Sequence, residues 1–442
     1  MRKRRFTTVI HIEWLVVAAI LPLILFSTTW GTLALGIIPL FWFLRKLGQG
    51  NFFVHTPLDV SLLLLSLALL LSTYAAPDLL FSLPKIINLL YGLGLYYALT
   101  DVMSRSPRYG QWGAGLFIAC GAGIAALSLI GTNWSFKLPG IDRIIALLPE
   151  QLLRLPGAAD GFHPNEVAGT LLWVLPFCFV LAVVAVIQVR REKKARWLLT
   201  AFLLSGLGLL MAGVLFLTQS RGGWLGLIAA FLFLLLVSVR RQRPFLLTTA
   251  FLCLALFIGT LLYVGPATVG NWLLGLGNDV MAATGGDELS GRLEIWSHAI
   301  YGVQDFAFTG MGLNQFRRLA PELYPFLSIS SATDIAHAHN LLLQTAVELG
   351  IFGLIAYLAV WLGAAGMLWQ TWRQAPTWPQ QATAVGFAAS LIAYFIYGLT
   401  DVVALGSKPG FIFWFLLALI ASQYRQAHIL TSSSSPSESQ HE

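Results

Sequence analysis

An all-α polytopic membrane protein with about 12 transmembrane helices is the fold class the sequence predicts, and three observations predict it. Of 442 residues, 57% are hydrophobic and only 11% are charged, against about 25% charged in soluble domains. Apolar runs approaching the ~20 residues that cross a bilayer recur along most of the chain. Lys and Arg alternate between successive connections in the manner that sets membrane orientation. This composition, with a mean hydropathy of +0.75, excludes an ordinary cytosolic enzyme. The net charge of +7 reflects topology, so no nucleic-acid partner is expected. Cys120, Cys178 and Cys253 sit inside apolar runs with no metal or disulfide spacing, and read as small packing residues.

The expected spans are roughly 13–29, 31–44, 58–74, 84–102, 111–131, 164–188, 197–218, 222–239, 244–264, 346–370, 381–401 and 408–424. The second and the last are short for a full crossing. MRKRRF followed by an apolar run looks like a signal peptide, but no small-residue cleavage site precedes the next run, so an uncleaved first helix is expected. With a cytoplasmic N-terminus, inside connections hold 18 of the 27 Lys and Arg, notably Arg2–Arg5, Arg190–Arg196 and Arg240–Arg243. Both termini are then cytoplasmic. Residues 1–428 form a single polytopic domain, and 429–442, polar and low in complexity, form a disordered cytoplasmic tail.

Two connections exceed turn length, 132–163 and 265–345, and both fall on the extracytoplasmic side. The larger, between spans 9 and 10, carries SGRLEIWSHAIYGVQDF, with Leu293, Trp296, Ile300 and Val303 at helical spacing and Ser290 as expected N-cap. Its Trp and Tyr suit amphipathic helices lying at the outer headgroup layer. Function should face outward.

Ionisable residues near a span are costly and need a reason. In LTQSRGGWLGL, Arg221 stands between two apolar runs with almost no loop, and Gly222 and Gly223 open the next helix. Arginine, bare glycines and free helix N–H groups suit an anion such as phosphate; the alternative is a snorkelling arginine at a tight hairpin. Arg292 opens the amphipathic stretch and, alone, reads as a solvated loop arginine. In DIAHAHNLLLQTAVELGIFGL, His337 and His339 precede a helix with Asn340 and Gln344 beside them and Glu348 at the edge of a span. Capping or packing explains a single histidine; two beside a carboxylate raise a catalytic reading. His-x-His lacks a third metal ligand nearby, so no metal or cofactor is expected. DGFHPNEVAGTLL offers His163 and Asn165 to a polar pocket, although helix initiation also accounts for them. Asp401 and Lys408 flank the last outer turn and pair with each other or with water. A P-loop, an Asp-x-Asp pair and HExxH are absent.

HPNEVAGTL, TQSRGGWLGL, SGRLEIWSHAI and HAHNLLLQTAVELGIFGL, in this order over 163–355, resemble the O-antigen ligase/polymerase-like superfamily of bacterial envelope proteins. The resemblance implies a metal-independent, inverting glycosyltransferase of the inner (cytoplasmic) membrane with its active site on the outer face. The donor would be a glycan linked to undecaprenyl pyrophosphate; the acceptor, a lipid A core or another glycan. It implies that Arg221 and Arg292 contact the pyrophosphate. The family's catalytic histidine directly precedes an asparagine, which selects His339 as base, with His337 its unresolved neighbour and Glu348 a candidate to orient it. Gly222, Asn165 and Asn340 complete the expected substrate contacts. A polymerase of the same superfamily and a transporter, some relatives being labelled bicarbonate transporters, are the alternative functions; the transporter is disfavoured because the acids fall near span ends.

Overall fold

The computed structural model describes residues 39–47, 52–134, 141–148, 161–240, 288–327 and 333–433, with a few isolated positions elsewhere. The expected spans 13–29 and 244–264, most of 31–44, the loop segment 265–287 and the end of the tail lie outside the described residues.

Every element within them is helical, apart from one isolated bridge between Thr132 and Phe162. In chain order the helices are α1 (Asp59–Ala75), α2 (Leu79–Ser104), α3 (Pro107–Gly131), the short α4 (Ile141–Ile145), α5 (Pro164–Leu172), α6 (Leu175–Glu192), α7 (Ala195–Leu217) and α8 (Arg221–Arg240). Then follow α9 (Glu288–Asp305), α10 (Phe316–Leu323), α11 (Leu341–Gln374), α12 (Trp378–Gly398) and α13 (Phe411–Ser433). Helices therefore stand at nine of the expected apolar runs. Six of them, α2, α3, α7, α8, α11 and α12, are long and apolar enough to cross a membrane, or up to seven if the bent pair α5–α6 is one span. That makes the chain a multi-pass membrane protein of all-helical class.

Two expected single spans are broken, each for a local reason. The run 164–188 divides into α5 and α6 at an angle of 42°. Pro176 has no N–H for the carbonyl four residues back, Leu172, and its ring crowds that carbonyl; α5 ends at Leu172. The run 346–370 starts earlier, at Leu341, and is interrupted at Gly350, which has φ +72°. There Ile351 N–H donates to Ala307 O (2.8 Å) instead of continuing the helix, and the released carbonyls of Val347 and Glu348 accept from Met311 (2.8 Å) and Gly312 (3.2 Å). The polypeptide linking α9 to α10 is thus sewn into the break. Ser290, expected as an N-cap, instead lies in the first turn of α9, which begins at Glu288.

α13 runs through the middle of the bundle. Phe411 to Ala421 are all buried, as expected of a helix apolar all round. Trp173, at the α5–α6 break, stacks on Tyr394 of α12 (centroids 3.7 Å apart) and meets Phe413 and Trp361 at 5.0 and 5.7 Å. α8 packs closely along α12 because Gly226 has no side chain: a Cβ there would fall 2.3 Å from Ala393 O. Tyr394 and Tyr397 carry this core order to the end of the bundle. The Tyr394 hydroxyl donates to Val403 O (3.1 Å) and accepts from Val403 N–H (3.0 Å), while Tyr397 donates to Asn165 O (2.7 Å).

Replacing Gly350 by alanine tests the sewn break. A Cβ there would meet Phe308 O at 2.6 Å, and the positive φ with ψ 178°, essentially a glycine conformation, adds about 1–3 kcal/mol of strain for any other residue. The expected outcome is a lower thermal midpoint in detergent; an unchanged midpoint would show that this region relaxes freely.

Candidate active site

Five segments converge at one end of the bundle: the start of α5, the α7–α8 turn, α9, the loop before α11, and the loop after α12. Each is set there by local sequence. Pro164 opens α5 at its first position, and Asn165 beside it donates from its amide to Asp401 in the loop after α12. Ser220 Oγ accepts from Gly223 N–H (3.3 Å) and begins α8, which puts Arg221 and Gly222 in its first turn. Gly222 allows Thr400 to approach, since a Cβ would lie 2.3 Å from Thr400 Oγ1. Asn340 caps α11, its Oδ1 accepting from Leu342 and Leu343 N–H at 3.0 Å each, and its Nδ2 donates to Leu399 O at 3.0 Å.

Asp401 joins these pieces. Its Oδ1 lies 3.1 Å from His339 Nδ1 and accepts from Val402 N–H (2.8 Å); its Oδ2 accepts from Asn165 Nδ2 (2.6 Å). The expected pairing of Asp401 with Lys408 gives way to these partners, because the loop turns Asp401 inward, where it is 2% exposed. Next to it, Arg292 donates from a guanidinium nitrogen to Thr400 O (2.6 Å). Arg221, Gly222, Arg292 and Asn165 line one cleft with Gln219, Ser220, Thr400 and Asp401. Two arginines separated by 71 positions in the chain, together with a helix start, therefore border a single space.

His339 occupies the left-handed region (φ +47°). A non-glycine residue held there by its surroundings is a frequent mark of a functional site. With Nδ1–H donated to Asp401, Nε2 is left as the proton acceptor, the arrangement of a carboxylate-oriented histidine base. The His337 ring lies against that of His339, centroids 4.3 Å apart. Burial, reinforced by the charges of His339, Lys85 and His163 and opposed by Asp401, pushes His337 down to about 3. It is thus neutral near pH 7 and a weak base, which favours His339 for proton abstraction. Burial alone would raise the Asp401 carboxyl, but His339, through its hydrogen bond and, when protonated, its charge, together with the Arg292 guanidinium more than reverses this and keeps it ionised.

Glu348 is elsewhere. Its Oε1 accepts from Asn314 N–H (2.6 Å), so the expected pairing with His339 is not formed; Glu348 instead fastens the α9–α10 connection to the break in α11. Lys85 is half-buried on α2 and adds positive potential at His337. His337, His339 and Asp401 each offer a ligand atom within 4.8 Å of the others, so Asp401 supplies the third metal ligand that the sequence lacked. A cation would have to replace the hydrogen bonds that now occupy both oxygens of Asp401.

The fold and this cluster define a polytopic membrane protein with a polar cluster built at one end of its helices. Residues 206–358 match the family described as O-Antigen ligase, a segment holding Arg221, Arg292, His337, His339, Asn340 and Glu348. The chain is also 25% identical, over 226 residues, to an O-antigen ligase of Pseudomonas aeruginosa; the match covers 50% of this chain and 48% of that protein. The chain thus matches about half the length of its curated relative. These matches bear out the resemblance to the O-antigen ligase/polymerase superfamily. Asn165 and Asp401 lie outside the matched family segment and are joined to it by the fold.

His337 makes stability depend on pH. The unfolded chain protonates this imidazole below its ordinary value of 6.5, whereas the folded protein resists until about 3. The contribution is therefore complete above 6.5 and declines as pH falls toward 3. His298, lowered by burial, acts in the same sense, so the comparison needs a variant. Between pH 7 and 4.5 the wild-type thermal midpoint should lose ground relative to that of His337→Gln; equal slopes would contradict the assignment.

Proposed function

We propose that the protein is an O-antigen ligase-like glycosyltransferase that moves a glycan from undecaprenyl pyrophosphate to an acceptor glycan or lipid A core. One observation carries the reading: Arg221, Arg292 and the start of α8 share a cleft with Asp401, which also holds His339. Outside the cytoplasmic membrane there is no ATP, so the transferred sugar must arrive activated. Lipid-linked pyrophosphate is a good leaving group, and the two guanidiniums with the helix N–H groups offset the charge that its departure creates. His339 Nε2 takes the proton of the acceptor hydroxyl as the oxygen attacks the anomeric carbon from the face opposite the pyrophosphate, which inverts that centre. Asp401 keeps the imidazole in the required tautomer and stabilises the imidazolium.

The placement of the reaction on the extracytoplasmic face of the inner membrane is supported by the basic residues at the far helix ends. α6 ends at Arg190, Arg191 and Glu192, and α8 ends at Arg240, whereas α8 begins at the cleft. By the positive-inside rule those ends are cytoplasmic. The single polytopic domain 1–428 and the core 163–355 are retained as parts of this proposal.

His337, His339 and Asp401 favour a second reading, in which a divalent cation bound by the three neutralises the leaving group. Reconstitution in proteoliposomes with purified undecaprenyl-pyrophosphate glycan and acceptor separates the two. The proposal expects turnover to persist in chelator; its loss, with recovery on adding a divalent cation, would establish the metal reading. Arg221→Ala and Arg292→Ala should each lower transfer by about 100-fold or more, and His339→Ala should lose turnover while retaining donor binding. Wild-type rates in the arginine variants would remove the pyrophosphate clamp. Joining of donor repeats to one another would identify a polymerase, and ion flux without transfer would identify a transporter.

A further inference from the structure

Two residues flank His339 in the chain, and both are tied down. Asn340 is fixed by its cap bonds and by Leu399. On the other side, Ala338 is fully buried, and its N–H donates to the side-chain Oε1 of Gln344 at 2.5 Å. Gln344 stands in the first turn of α11, its own N–H donating to Asn340 O (2.8 Å), and is 2% exposed. Its side chain reaches back against the chain direction, from the helix to the peptide between the two histidines. We infer that Gln344 is the positioning residue of the histidine turn, holding Ala338 so that His339 keeps its left-handed backbone and presents Nδ1 to Asp401.

The geometry assigns to Gln344 the orienting task that the sequence suggested for Glu348. Glu348 is one turn further along α11 and is committed to Asn314. Without Gln344, the Ala338 N–H is a buried donor with no acceptor, and the turn has to shift to find one. The left-handed conformation at His339 would then lose one of its two supports. The rings of His337 and His339 are in contact, so a shift of the peptide between them moves both. Asp401 is anchored independently by Asn165 and the N–H of Val402. Loss of the clamp therefore displaces the base relative to a carboxylate that stays in place. Misplacement of a catalytic group by a fraction of an ångström to 1 Å slows chemistry without removing substrate contacts.

The inference rests on the transferase reading for its kinetic arm and is independent of that reading for its structural arm. Gln344→Met retains length and removes the acceptor; Gln344→Glu, combined with Glu348→Gln so that two buried acids do not meet, retains an oxygen at the same reach. In full-length protein reconstituted in proteoliposomes, Gln344→Met should reduce kcat about tenfold or more, with donor KM within about twofold of wild type. Gln344→Glu combined with Glu348→Gln should restore most of the rate. Hydrogen exchange measured by mass spectrometry should quicken in the segment 335–341 of Gln344→Met, with the rest of the protein unchanged. Wild-type kcat in Gln344→Met overturns the positioning role, as does a loss that tracks global destabilisation and is not rescued by glutamate. Unchanged exchange at 335–341 overturns the clamp itself. If His339→Ala remains active, the transferase reading falls, and the exchange measurement still decides whether Gln344 holds the turn.

Discussion

The candidate site depends on one buried carboxylate. Asp401 holds His339 with one oxygen and Asn165 with the other, and so ties together the loop before α11, the start of α5 and the loop after α12. A buried acid is expensive unless its oxygens are hydrogen-bonded and positive charge stands near; here both oxygens accept hydrogen bonds and Arg292 lies close by. Arg292 secures the adjacent Thr400 carbonyl, so the same loop also fixes one wall of the arginine cleft. Removing the carboxylate would free the base, while the Arg292 bond to Thr400 still holds the cleft wall.

The membrane bundle positions this loop through aromatic hydroxyls. Tyr394 and Tyr397 leave a stacked core around Trp173 and end in hydrogen bonds to Val403 and Asn165. Interruptions in the helices serve the same end. The break at Pro176 separates the short α5, which bears Asn165, from the long α6. The break at Gly350 exposes carbonyls that seize the α9–α10 connection, and α9 is the helix that delivers Arg292. Irregular backbone at membrane depth is tolerated where it is buried in protein.

Much of the architecture was legible in the sequence because lipid imposes long apolar runs, and helices stand at every expected run within the described residues. The two breaks were not legible from hydropathy, which does not register a proline or a glycine inside an apolar stretch. Arg221, His339 and Asn340 could be singled out because each sits in a compact local pattern. Asp401 could not be given its role: it is 62 positions from His339 and 236 from Asn165, and only tertiary packing brings them together. A sharper signal was available, since an acid directly beyond an apolar run demands several partners, and Lys408 is only one candidate. Gln344 was visible beside the histidines, but its backward reach to Ala338 is a property of the folded turn. Glu348 was misassigned for the converse reason, as nearness in sequence suggested a contact that the helix carries away.

The most direct test is single-turnover transfer by Asp401→Asn with donor bound beforehand. Asparagine keeps the size of the side chain and an acceptor oxygen but cannot stabilise an imidazolium on His339. The account predicts a loss of about 1,000-fold or more in the transfer step, with donor affinity close to wild type. Transfer at the wild-type rate would contradict it, because His339 would then be working without the carboxylate on which the arrangement is built.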